Sequence, residues 1–139
     1  MARHYARELA LKVLYEHDVA HTSVDAVLER TIGGASAADG AYARTLVEGT
    51  MGSRDQLDQW IQAAAHDWRL ERMPAIDRNI IRLGCYEMVH EPAVPISVII
   101  DEALELTQSY STDDAKRFIN GVLGTIAEQV RPHGDTDRQ

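Results

Sequence analysis

The stretch PAIDRNIIRLGCYEMV, residues 74–89, decides the fold. Pro74 suits the first turn of a helix, where a missing N–H costs nothing. At 100° per residue, Ile76, Ile80 and Leu83 fall on one part of the wheel, and Ile81 and Met88 on another. A helix apolar over so much of its circumference must be covered on several sides, so it is predicted to lie at the centre of a helical protein. Asp77 heads the stripe Asp77, Ile81, Gly84 and Met88. A first-turn carboxylate is favoured by the helix dipole. That is the simpler reading; its place at the edge of an apolar surface also suits a contact with a protein partner.

Downstream, a proline-bounded turn, residues 91–95, leads to Ile96, Ile99, Ile100, Ala103 and Leu106, one face of an amphipathic helix ending near Ser109. The next segment, STDDAKRFINGVLGTIAEQV (111–130), carries a start signal in Ser111 with Asp114 and an apolar face of Ile119, Val122, Leu123, Ile126 and Val130. Phe118, the only phenylalanine, sits about 100° off that face, beside Lys116 and Arg117 and above Gly121 and Thr125. An edge aromatic bordered by cations and small residues is what base stacking requires. Taken alone, such a ring packs under a neighbouring helix more often than it meets a base. Gly121 and Gly124 are expected to permit close helix packing. Residues 131–139 are polar and breaker-rich, and are read as a disordered tail after a single domain over 1–130.

Upstream, a helix over Arg3–Val19 has Ala6, Leu9, Ala10, Val13 and Leu14 on its apolar face, while His4, Arg7, Leu11 and Tyr15 gather elsewhere. That second side, with cations, an imidazole and an aromatic, suits phosphates and bases; a solvated face is the competing reading. Thr22 with Asp25 marks a short helix ending near Gly33, and Ser36 with Asp39 a helix to about Gly52. Ser53 with Gln56 reads as a capping box for a helix to His66, on whose period Leu57, Trp60, Ile61, Ala64 and Trp68 recur, both tryptophans being read as core. The total is seven helices and no strand: an all-α fold.

Composition narrows the function. At 139 residues and 45% hydrophobic content the chain can bury a real core, and no run is long enough to span a membrane. The charged, amphipathic start is no secretory signal, and a single cysteine, Cys85, suggests a reducing, cytoplasmic setting. A net charge of −8 argues against indiscriminate coating of nucleic acid, yet the charges are uneven. Residues 83–115 hold no Lys or Arg, after which Lys116 and Arg117 arrive together. If they meet Arg3 and Arg7 in space, they make one basic patch on an acidic body. His17 and His21 have i,i+4 spacing but no third ligand with motif spacing, so no metal is expected, and no cofactor either. No phosphate-binding glycine loop or nucleophile motif occurs, so no catalytic residue is assigned and the chain is read as a non-enzyme.

Several segments then arrive in a recognisable order: ARELALKVLYE, YARTLVEG, WRLERMPAIDRNIIR with CYEM, VPISVIIDEALELTQSYSTDD and RFINGVLG. From Arg3 to about Val130 the chain resembles the NusB family of bacterial transcription antitermination factors. The resemblance implies two packed helical bundles. It also implies a factor that binds single-stranded boxA RNA in nascent ribosomal transcripts, together with a small-subunit ribosomal protein, NusE, in support of the transcription elongation complex. Carried over by position, Arg3, His4, Arg7, Tyr15, Lys116, Arg117 and Phe118 would contact RNA. Asp114 would hold RNA affinity down by repelling phosphate, and Asp77 with Ile81 would face the ribosomal protein. The alternative is a self-associating helical adaptor whose RNA face is masked in a homodimer.

Overall fold

The computed structural model describes residues 3–135. Seven α-helices follow in order: α1 (His4–Ala20), α2 (Val24–Ile32), α3 (Ala37–Gly52), α4 (Arg54–Ala64), α5 (Ala75–His90), α6 (Ile96–Tyr110) and α7 (Asp113–Val130), with a single 3-10 turn at Leu70–Arg72 before α5. Among the described residues there is no strand. Helices α1–α3 pack on one another, α4, α6 and α7 gather around α5, and α5 also packs on α1 and α3, joining the two groups. Every residue from 79 to 88 is buried, as the apolar circumference of this helix requires. Ile80, Ile81, Ile119 and Leu123 are fully inside. Each such side chain contributes about 1.5–3 kcal/mol on burial.

A helix enclosed on all sides must also pair its polar residues. Two struts from α1 do this. Arg7 donates from Nε and Nη2 to the two carboxylate oxygens of Glu87, both at 2.8 Å, and the Tyr42 hydroxyl donates to the same carboxylate at 2.6 Å. Asp18, near the other end of α1, accepts from Arg78 at 2.7 Å and from Asn79 at 2.8 Å, while Arg82 reaches on to Asp58 of α4. The pairings 7 with 87 and 18 with 78 make α1 and α5 antiparallel. Burial pushes the Asp18 carboxyl upward, but hydrogen bonds from Arg78 and Asn79 and the charges of Arg78 and Arg82 outweigh it and hold it at about 2.

Local start signals hold in part. Ser36 caps α3 by accepting from the Asp39 N–H, as predicted. The cap of α7 is Thr112, accepting from the Ala115 N–H, instead of Ser111, and that of α2 is Ser23 instead of Thr22. Ser53 makes no capping box; its hydroxyl donates to the Gly49 carbonyl of the helix before. A Cβ on Gly121 or Gly124 would meet nothing, so these two do not mark close packing. The tight approaches are at Gly49, where an added Cβ would run into the Tyr86 ring, and at Gly84, where it would sit 3.0 Å from a Leu123 methyl. Nor does the chain leave the body at residue 131. The Arg131 guanidinium donates to the carbonyls of Glu87, Met88, Glu91 and Val94, and Asp135 accepts from the Ile96 N–H at the start of α6. The expected tail is corrected for 131–135; residues 136–139 lie outside the described residues.

Candidate nucleic-acid interface

The N-terminal residues expected to act together go three ways. Arg3 stays exposed, with its guanidinium 4.7 Å from the centroid of the Tyr42 ring. His4 turns to α6, its Nδ1 lying 2.7 Å from Glu102 and 3.0 Å from Glu105. Arg7 is corrected as an RNA contact: its side chain is 4% exposed and both its Nε and Nη2 are committed to Glu87. Burial works to lower its pKa, and the hydrogen bond and charge of Glu87 more than reverse that. Tyr15 fares differently. It is 41% exposed and stands on α1 with its ring in the open.

Helix α7 presents its residues more as expected. Arg117 is exposed, and Lys116 donates to Gln108 of α6 at 3.0 Å. Since His4 touches Glu105 of the same helix, less than a turn from Gln108, the two basic segments approach along α6. Phe118 is half-buried, with Asp114 exposed one turn before it. Its neighbour is Trp68, edge-on with ring centroids 5.9 Å apart and planes at 69°. Trp68 is 58% exposed, against the expectation of a core residue. The reason is local: α4 stops at Ala64, so Trp68 has left the helix whose period it continues in sequence.

Asp77 is 6% exposed, and Ser111 donates to its Oδ1 at 2.6 Å, tying α5 to the α6–α7 junction. Ile81 is fully buried, which corrects its assignment to a partner surface: on a helix covered on every side, its stripe is core. Accessible apolar surface lies instead in a hollow of about 480 Å³ lined by Leu11, Lys12, Tyr15, Pro74, Ile76 and Tyr110. A second hollow of about 290 Å³ is lined by Trp68, Arg72, Pro74, Asp77, Asp114 and Phe118. Pro74 borders both, so Tyr15 and Phe118 lie on one continuous face. Sequence reading missed Lys12, Arg72, Trp68 and Tyr110. The polar pair His66–Asp67 ahead of Trp68 was the available sign that the helix had already ended.

Among the described residues the titrating groups form no catalytic arrangement. Burial, then the charge of Asp58, pushes the Cys85 thiol up to about 12, which removes its nucleophile. His17 Nδ1 donates to the Thr22 carbonyl, 2.6 Å away. His4, Glu102 and Glu105 bring three ligand-type atoms within 4.8 Å of one another. Arg7 Nη1, 3.8 Å from Glu102, already supplies positive charge there, and an ion-pair cluster accounts for the group.

Comparison with known proteins agrees with this architecture. A sequence profile of the NusB family matches residues 4–128. The chain is 44% identical over 131 residues to the transcription antitermination protein NusB of Desulforudis audaxviator, covering 93% of this chain and 95% of that one. It is also 44% identical to the Saccharopolyspora erythraea protein of that name, over 91% of this chain and 86% of the relative. Among solved structures, T. maritima NusB superposes with a TM-score of 0.89 at 29% identity, covering 98% of this chain and 95% of that one. NusB crystallised with NusE and double-stranded RNA shares the fold, with a TM-score of 0.85 at 23% identity over 92% and 97% of the two chains. The chain belongs to the NusB family.

Proposed function

We propose that this chain is a bacterial transcription antitermination factor, a binding protein and no enzyme, that holds single-stranded boxA RNA of nascent ribosomal transcripts on the face running from Tyr15 across Pro74 to Phe118. The observation that carries this is the continuity of the two hollows at Pro74, with Tyr15 beside one and Phe118 and Trp68 beside the other. Lys12, Arg72, Lys116 and Arg117 supply phosphate contacts around these rings, where bases stack. His4 extends the strip along α6, and Arg3 lies exposed over Tyr42. Asp114, exposed at the rim, repels phosphate and so holds down affinity that rests on backbone contacts alone. The acidic body favours a basic partner, the ribosomal protein NusE. That a fold neighbour was crystallised with NusE and RNA supports this reading. The factor then works on the elongation complex in the cytoplasm.

The test is a mobility shift with boxA RNA, with and without NusE. Retarded RNA that is retarded further when NusE is added is expected. RNA that runs free in both lanes refutes the reading.

A second reading rests on α1 itself. Tyr5, Tyr15 and Val19 are exposed along one stripe, at 47%, 41% and 52%. Such a stripe fits a second copy of the chain, which would mask the RNA face in a homodimer. Sizing with saturating boxA RNA separates the two: a dimer that persists with RNA bound excludes masking.

A further inference from the structure

The hollow between Trp68 and Phe118 holds more chemistry than stacking requires. Its floor is closed by Met73, Asp77 and Ala115, all buried, and its rim carries Arg72, Thr112 and Asp114, all exposed. At about 290 Å³ it lies at the small end of the roughly 300–1,000 Å³ range of ligand pockets, fit for one ring system and no more. The two rings meet at 69°, so they cannot sandwich a base. They form a corner, in which one ring offers its face and the other closes the side.

The floor carboxylate is the informative group. Asp77 Oδ1 accepts from Ser111, while Oδ2 has no hydrogen bond among the described residues. The residue is more than nine-tenths buried and lines the hollow, yet Oδ2 is not among the sealed, unpartnered atoms, so it keeps access to solvent and is open to a donor. Asp114 on the rim adds a second acceptor and Arg72 a donor.

Resting on the RNA-binding reading above, we propose that this corner is a slot for a single unstacked guanine base, read on its Watson–Crick edge by Asp77 with Asp114 and Arg72. Guanine alone presents two adjacent donors, N1–H and N2–H, followed by the O6 acceptor. The donors match the carboxylates and O6 matches the guanidinium. Adenine and cytosine set a ring-nitrogen lone pair beside their amino group, and uracil flanks its single N–H with two carbonyls. Each of these turns an acceptor toward a carboxylate. The slot therefore gives the face a base preference that phosphate contacts cannot supply.

The experiment uses short uridine-tract RNAs carrying one central guanosine, or inosine, adenosine or uridine in its place, titrated by fluorescence anisotropy against the full chain and its variants. The guanosine RNA is expected to bind about tenfold tighter than the adenosine and uridine RNAs, with inosine, which lacks the N2 amino group, between them. Asp77→Asn retains an oxygen for Ser111 but places N–H donors against the guanine donors, so the preference for guanosine disappears. Trp68→Ala weakens the guanosine RNA by roughly 5- to 150-fold, and Trp68→Phe restores part of the loss. Equal binding of all four RNAs by the unmodified chain overturns the slot and leaves the RNA face standing. No binding of any of them overturns both. The wild-type base series decides the matter even if a variant fails to fold.

Discussion

Two clusters of cations and aromatics have opposite environments in this molecule. At one, Arg3 and Arg7 converge on Tyr42 and Glu87, with Arg7 and Glu87 sealed inside. At the other, Lys116 and Arg117 flank Phe118, and Trp68 stands beside it in the open. Composition does not separate them; the location of a counter-charge does. Arg7 meets a buried carboxylate 80 residues away and becomes part of the frame, while Arg117 meets none among the described residues and stays available. The difference divides the work: the α1–α5 struts hold the fold, and the α7 corner stays open for the ligand proposed above.

Breaking the first cluster should have the largest effect. Arg7→Ala leaves Glu87 buried without its cation, at a cost of about 3–5 kcal/mol. Urea unfolding of the variant measures it, and a loss below about 1 kcal/mol would mean that the strut is not structural. The second strut sharpens the point through pH. Asp18 is held at about 2 against an ordinary 3.8. A depressed carboxyl contributes stability above its unfolded value and loses it as the pH falls, so Asp18 adds about 2 kcal/mol at neutral pH that fades from about pH 3.8 down to about 2. Unfolding titrations across that range should show Asp18→Asn losing its deficit as acid is added; a deficit constant with pH would contradict the assignment. The smallest effect lies at the exposed cluster. Arg117→Ala should leave stability within about 0.5 kcal/mol. It should also reduce the salt slope of RNA binding by about 0.7, the share of one phosphate on a single strand. An unchanged slope removes Arg117 from the contact surface.

Most of the fold was legible because helical periodicity is a local signal. The enclosure of α5, the seven helices and the flank position of Phe118 all follow from spacing within single segments. What failed depended on neighbours. Arg7 looked like a surface cation because Glu87 is remote in sequence, and Ile81 looked available because the wheel cannot say how many sides are covered. Trp68 looked buried because it keeps the period of α4 beyond the point where that helix ends. Thr112 displaced Ser111 as a cap because the Ser111 hydroxyl is spent on Asp77, a partner remote in sequence. Pro74 as the join between two hollows had no sequence signature at all.

The central claim is that RNA rests on the α7 corner and not on the buried arginine strut. The most direct test is the affinity of a correctly folded Phe118→Ala variant for boxA RNA, with helical content and unfolding midpoint checked first. The account predicts a loss of about 1–3 kcal/mol in binding. Wild-type affinity in that folded variant would contradict it.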